Sequence, residues 1–191
     1  VAPGERVGLV DAIRLASPTL LLGCSAVSGA FTREVVEAMT ASCEHPMIFP
    51  LSNPTSRMEA MPGDVLEWSK GRALLTTGTP VSPVEYDGTT YTIGQANNVL
   101  VFPGIGLGII VAGARLVTPK MLQAAAEAVV HQASPATPGD PLLPDVKNLR
   151  AVSTAVAEAV YRAAVDDGVA RKTHEDIREA ILDTIWTPAY D

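Results

Sequence analysis

Side-chain amides stand at two places in this 191-residue sequence where they could face a small ligand. Asn53 follows the apolar run 46–51 and precedes Pro54. Its amide offers one carbonyl acceptor and two N–H donors. The proline favours extended backbone at Asn53 and so fixes where the side chain points. A plain turn-former capping a helix would look the same. Asn97 and Asn98 are adjacent, after Gly94 and ahead of the apolar stretch 99–114. Free N–H groups and the dipole at a helix start favour an anion. One Asn can cap there while its neighbour aims a donor at a bound carboxylate; double capping with no ligand is the alternative. The expectation is that Asn53 and Asn98 converge on one pocket shaped for a small dicarboxylate.

A second candidate is the loop of Ser25, Ala26, Val27, Ser28 and Gly29, which follows the apolar run 19–25. It is small, polar and glycine-containing, so a flat ring or a ribose could lie close to its backbone. Loops 52–55 and 77–80 follow two further apolar runs. Ligands of open α/β sheets bind outside the carboxyl ends of the strands, which is where these loops would stand.

Other reactive residues read as structural. His45, His131 and His174 are scattered without ligand spacing, so no metal site is predicted. Glu59, Asp64 and Glu67 fit a solvated helix face, and Asp166 and Asp167 a helix end. Ser25 and Ser28 lack a nucleophile elbow and a placed His base, which argues against a hydrolase. Cys24 and Cys43 are too few for a disulfide scaffold; Cys24, in an apolar run, reads as a buried small hydrophobe. Gly104, Gly106 and Gly108 have the spacing G-x-G-x-G, not G-x-G-x-x-G. No acidic residue stands at a strand end about twenty residues on. Close helix packing is expected there, not phosphate binding.

The elements that must position these residues recur as strand, turn and helix. Residues 7–16 are helix-like. Runs 19–25, 46–51 and 73–77 read as parallel strands buried on both faces. Thr32 caps a helix to about Cys43, and a short helix spans about 62–70. Asp87-Gly88 between residues 84–86 and 89–93 signals a hairpin. Thr118-Pro119 opens a helix to about 133. The stretch 134–144 is a proline-rich, exposed connector and a candidate for mobility. Helices follow over about 152–165 and from Thr173 or His174 to about 185. The fold class is therefore α/β: a partial, Rossmann-like, doubly wound parallel sheet with a β-hairpin and C-terminal helices. Three parallel strands are visible, fewer than a complete dinucleotide domain has. The expected division is a dinucleotide-binding portion over 1–133, a connector over 134–147, and a helical segment over 148–191 that packs on the domain.

Composition narrows the partners. Hydrophobic residues make up 47% of the chain, enough for a core, and the net charge is −7 without a basic patch, which disfavours nucleic acid. No apolar run reaches membrane-spanning length, and the first residues lack the order of a signal peptide. A cytoplasmic location is expected.

The strings Phe49-Pro50-Leu51-Ser52-Asn53-Pro54-Thr55-Ser56, Gly71-Arg72-Ala73-Leu74, Gly94-Gln95-Ala96-Asn97-Asn98 and Phe102-Pro103-Gly104-Ile105-Gly106-Leu107-Gly108 resemble the malic enzyme family in order and spacing. Gly23-Cys24-Ser25, Gly29-Ala30-Phe31-Thr32 and the closing Trp186-Thr187-Pro188-Ala189-Tyr190 fit as well. The resemblance implies oxidative decarboxylation of (S)-malate to pyruvate and CO2 with NAD or NADP and a divalent metal, Mg or Mn. It implies Asn53, Asn97 and Asn98 as substrate-binding amides. Ser25, Ala26, Ser28, Gly29, Asn53 and Asn98 would contact the cofactor. The family's general-base Lys, general-acid Tyr, three acidic metal ligands and pyrophosphate loop have no counterpart here and would lie upstream of Val1. The chain alone is therefore expected to be inactive, as part of a longer enzyme that assembles as a homo-oligomer. The segment 91–98 also resembles malolactic enzymes, which release lactate. A stand-alone nucleotide-binding module is a further alternative; an interaction module built on the C-terminal helices has no specific support.

Overall fold

The computed structural model describes residues 7–133 and 135–186. They fall into two compact units: residues 7–96 with 135–142, and residues 97–133 with 143–186. The strings at 187–190 lie outside the described residues.

The first unit carries a four-stranded sheet in the order β1-β2-β3-β6, all parallel. The strands are β1 (Leu20–Gly23), β2 (Met47–Pro50), β3 (Leu74–Thr77) and β6 (Gly94–Gln95). Between β3 and β6 stands an antiparallel pair, β4 (Val84–Tyr86) and β5 (Thr89–Tyr91). Asp87 and Gly88 join them with φ of 48° and 74°, the left-handed pair that a tight hairpin turn demands. Three strands were expected in the parallel sheet. The fourth, β6, is two residues long and too short for a periodic signal, so Gly94 lies in a strand where a turn was expected.

Helices α1 (Leu9–Ala16), α2 (Arg33–Ser42) and α3 (Pro62–Ser69) cover one face of this sheet. Thr32 caps α2 by accepting from the Val35 N–H. Ile13, Val35, Val36, Met39, Val65 and Leu66 pack with Ile48 and Leu75, which share one row of the sheet register with Leu21. The expectation that the first strand is buried on both faces fails. Leu20 is 38% and Leu22 54% exposed, and Leu74 of the third strand is 39% exposed, because these side chains point to the sheet face that α1, α2 and α3 do not cover. Cys24 continues that side and is exposed, not buried. Residues 135–140 are largely exposed, yet the connector is held: the Thr92 N–H donates to the Gly139 carbonyl at 2.8 Å. Asp140 accepts from the Ala136 and Thr137 N–H groups, and those bonds hold its carboxyl below the ordinary aspartate pKa.

The second unit is helical: α4 (Phe102–Ala112), α5 (Pro119–Ala133), α6 (Leu149–Asp166) and α7 (Ile177–Thr184). Helix α6 is central, with Val152, Val156, Ala157, Val160, Ala163 and Ala164 buried. The glycines of α4 do what their spacing suggested. A Cβ on Gly104 would sit 2.5 Å from Val156 Cβ, and one on Gly108 2.7 Å from the Ala157 carbonyl oxygen; Gly106 faces open space. Thr118 caps α5 through the Met121 N–H. The last helix starts later than expected. Asp176 is the cap, accepting from the Glu179 N–H at 2.9 Å, while the His174 N–H donates to Tyr161 Oη. Among the described residues no helix is long and apolar enough to cross a membrane.

Candidate cofactor site

The loops at the carboxyl ends of β1, β2 and β3 are stitched into a row. The Ala26 N–H donates to Ser52 Oγ at 2.9 Å, joining the first two. Thr55 Oγ1 and Thr79 Oγ1 lie 3.3 Å apart, joining the second and third. A Cβ on Gly78 would sit 2.0 Å from the Leu51 carbonyl oxygen, so only glycine permits that approach. The Ala96 N–H donates to the Thr77 carbonyl and the Gln95 side chain to the Gly78 carbonyl, which ties in the end of β6.

Under the first two loops lies Glu59, 0% exposed. Its Oε1 accepts from the Ser25 N–H at 2.8 Å, Ser25 Oγ at 2.9 Å and Ser52 Oγ at 2.5 Å. Its Oε2 accepts from the Ser52 N–H at 3.3 Å. Burial on its own would raise the carboxyl pKa. The hydrogen bonds from Ser52 and Ser25 outweigh it and hold the group below the ordinary glutamate value. The expectation that Glu59 belongs to a solvated helix face is therefore overturned. The signal against it was present in the sequence: Glu59 precedes Pro62, where α3 begins, so it never shared a helix with Asp64 and Glu67. It also sits among Met58, Ala60 and Met61. What no spacing revealed is that its partners come from positions 25 and 52.

Each predicted site residue can be placed. Ser25, Ala26, Ser28 and Gly29 are exposed on the loop after β1, and Asn53 is exposed on the loop after β2, next to Ser52. The Asn53–Pro54 peptide is cis. Ala26 and Gly29 are left-handed, with φ of 55° and 73°. An ionised carboxylate only accepts, so both hydroxyls donate to Glu59. Ser25 therefore offers a ligand only its remaining lone pair and the loop it holds. Asn97 and Asn98 belong to the second unit. Asn97 is the cap: its Oδ1 accepts from the Val99 N–H at 3.0 Å. Asn98 is exposed and opens a single 3-10 turn, Asn98–Leu100; α4 starts only at Phe102, so the two amides do not directly begin the long helix. Among the described residues no group of three His, Cys, Asp or Glu side chains could hold a metal ion.

A parallel sheet with polar, glycine-containing loops aligned at its carboxyl end defines the nucleotide-binding class of α/β folds. The chain belongs to the malic enzyme family: the family described as "Malic enzyme, NAD binding domain" matches residues 2–165. It is 76% identical over its whole length to a "Putative malate oxidoreductase [NAD]" of Mycobacterium tuberculosis and covers 35% of that protein. It is 50% identical over 187 residues to "NAD-dependent malic enzyme 3" of Bacillus subtilis, covering 98% of this chain and 33% of the relative. The malolactic enzyme of Lactococcus lactis is 43% identical, with 98% of this chain and 35% of the relative covered. The crystal structure of Entamoeba histolytica malic enzyme superposes with a TM-score of 0.73 at 26% identity, over 95% of this chain and 33% of that one. The chain thus spans about a third of the length of these relatives.

Proposed function

We propose that this chain forms the nicotinamide-end part of an NAD-dependent malic enzyme, in which (S)-malate is oxidised at C2 and loses its C4 carboxylate as CO2 to leave pyruvate. The observation that carries this reading is the cross-linked row of loops at the sheet's carboxyl end, with Asn53 exposed on it. The exposed Asn53 amide and the open backbone at Gly29 fit the ring and ribose of a dinucleotide. Nothing lies within 4 Å of a Cβ built on Gly29, so a flat group can reach that backbone. When bound, the nicotinamide supplies the acceptor for the C2 hydride. Asn53 orients the reactants by donating amide N–H groups to carboxylate or carboxamide oxygens. Asn98, beside the capping Asn97, offers the same kind of donor. The described residues offer no ligand set that fits Mg or Mn. A binding portion over 1–133 and a helical segment over 148–191 belong to this reading as the extent of the dinucleotide-binding part, although the compact units divide at residue 97 and α4 shares its core with α6. So do a homo-oligomer and a cytoplasmic location, the latter supported by two free cysteines.

The test is turnover by the natural full-length protein with malate, NAD or NADP, and Mn. Malate-dependent NADH formation with pyruvate and CO2 is expected, with NAD preferred. Lactate without net NADH would favour the malolactic reaction, and malate-independent behaviour would sink both readings. Asn53→Ala is expected to lower kcat/KM for malate by about 100-fold, the scale set by losing one orienting contact.

A further inference from the structure

We infer that Glu59 is a positioning residue for the proposed cofactor site: its buried carboxylate sets the spacing and backbone shape of residues 25–29 and 52–53 from beneath, without touching a ligand. The inference rests on the malic enzyme reading above.

Glu59 binds both loops at once. Three donors converge on Oε1 and a fourth reaches Oε2. Because the Ser52 hydroxyl donates to the carboxylate, a lone pair of Ser52 Oγ is aimed at the Ala26 N–H. That bond, with Arg57 donating to the Ala26 carbonyl at 3.4 Å, engages both backbone polar groups of a residue held at φ 55°. The Ser25 hydroxyl, likewise committed to Glu59, accepts from the Val27 N–H at 3.2 Å. The backbone of the same segment locks the far end of the loop: Gly29 donates to the Met58 carbonyl and Phe31 to the Glu59 carbonyl. Space is cleared for the carboxylate by Gly23, where a Cβ would sit 2.6 Å from Glu59 Cδ.

A stabilising role alone is a weak explanation. Burying a carboxylate carries a desolvation cost, and apolar residues of similar volume often stabilise as well or better. What an acceptor-only group adds is direction. Every donor around it must point inward, which leaves one arrangement of the two exposed loops. Those loops carry Ala26, Ser28, Gly29 and Asn53.

The experiment uses the natural full-length protein and its Glu59→Gln variant. Glutamine keeps the volume and Oε1 but opposes its NH2 to the Ser52 N–H. The variant is expected to melt within a few degrees of the unsubstituted protein. Its Kd for NAD by calorimetry should rise about tenfold and its kcat on malate fall about tenfold, with a larger primary isotope effect on malate deuterated at C2. An unchanged Kd and isotope effect, with or without a lower melting temperature, would overturn the inference. Should Glu59→Gln not fold, Ser52→Ala, which cuts the link to Ala26, is expected to raise the Kd in the same way; an unchanged Kd there also overturns it. If the unsubstituted protein binds NAD without oxidising malate, the malate reading fails, and the Kd comparison still decides the role of Glu59.

Discussion

At the residue scale, Glu59 behaves as a buried ion whose surroundings favour its charged form. Its pKa is lowered in the fold, so it contributes stability that is present above the unfolded pKa and lost as pH falls through the folded one. Melting temperatures of the 191-residue chain and its Glu59→Gln variant should therefore differ most near neutrality and converge in acid. A gap that stayed constant down to about pH 3 would contradict this. Gly23→Ala pushes a methyl into the carboxylate and is expected to cost about 1–3 kcal/mol in denaturant unfolding. Asn53 was legible because its amide stands before a proline at a strand end. Glu59 was not, since hydrogen-bond partners far apart along the chain leave no local pattern.

At the scale of elements, α4 separates two kinds of glycine. Gly104 and Gly108 lie four residues apart and face α6 at distances that leave no room for a side chain. Alanine at either is expected to destabilise the chain by about 1–3 kcal/mol. Gly106 meets nothing within 4 Å. Gly106→Ala should stabilise by about 0.5–1 kcal/mol, through the helix propensity of alanine alone. Urea unfolding of the three variants checks the contrast, and equal effects would refute it. The caps at Thr32 and Thr118 were readable because an N-cap bonds within its own first turn. The cap of α7 is Asp176, a few residues past the expected Thr173 or His174, since His174 is engaged elsewhere, on Tyr161.

At the scale of the whole molecule, the two units each enclose an apolar core. The sheet shows opposite behaviour on its two faces. Ile48 is fully buried, and Ile48→Ala should cost about 2–5 kcal/mol in thermal or denaturant unfolding. Leu22 on the other face is 54% exposed, and Leu22→Ala should cost less than about 1 kcal/mol in the same chain. The sequence by itself determined the α/β alternation, the helix caps at Thr32 and Thr118, the hairpin turn and the close approach of α4. Each of these rests on neighbours within a few positions, where side-chain period and backbone preference act directly. Only the tertiary structure decided that the sheet face of Leu20, Leu22 and Leu74 is left exposed, that Gly94 and Gln95 form a fourth strand, and that Glu59 joins two loops. Those outcomes depend on which segments meet across the sheet, and partners brought together from distant positions leave no mark on local spacing.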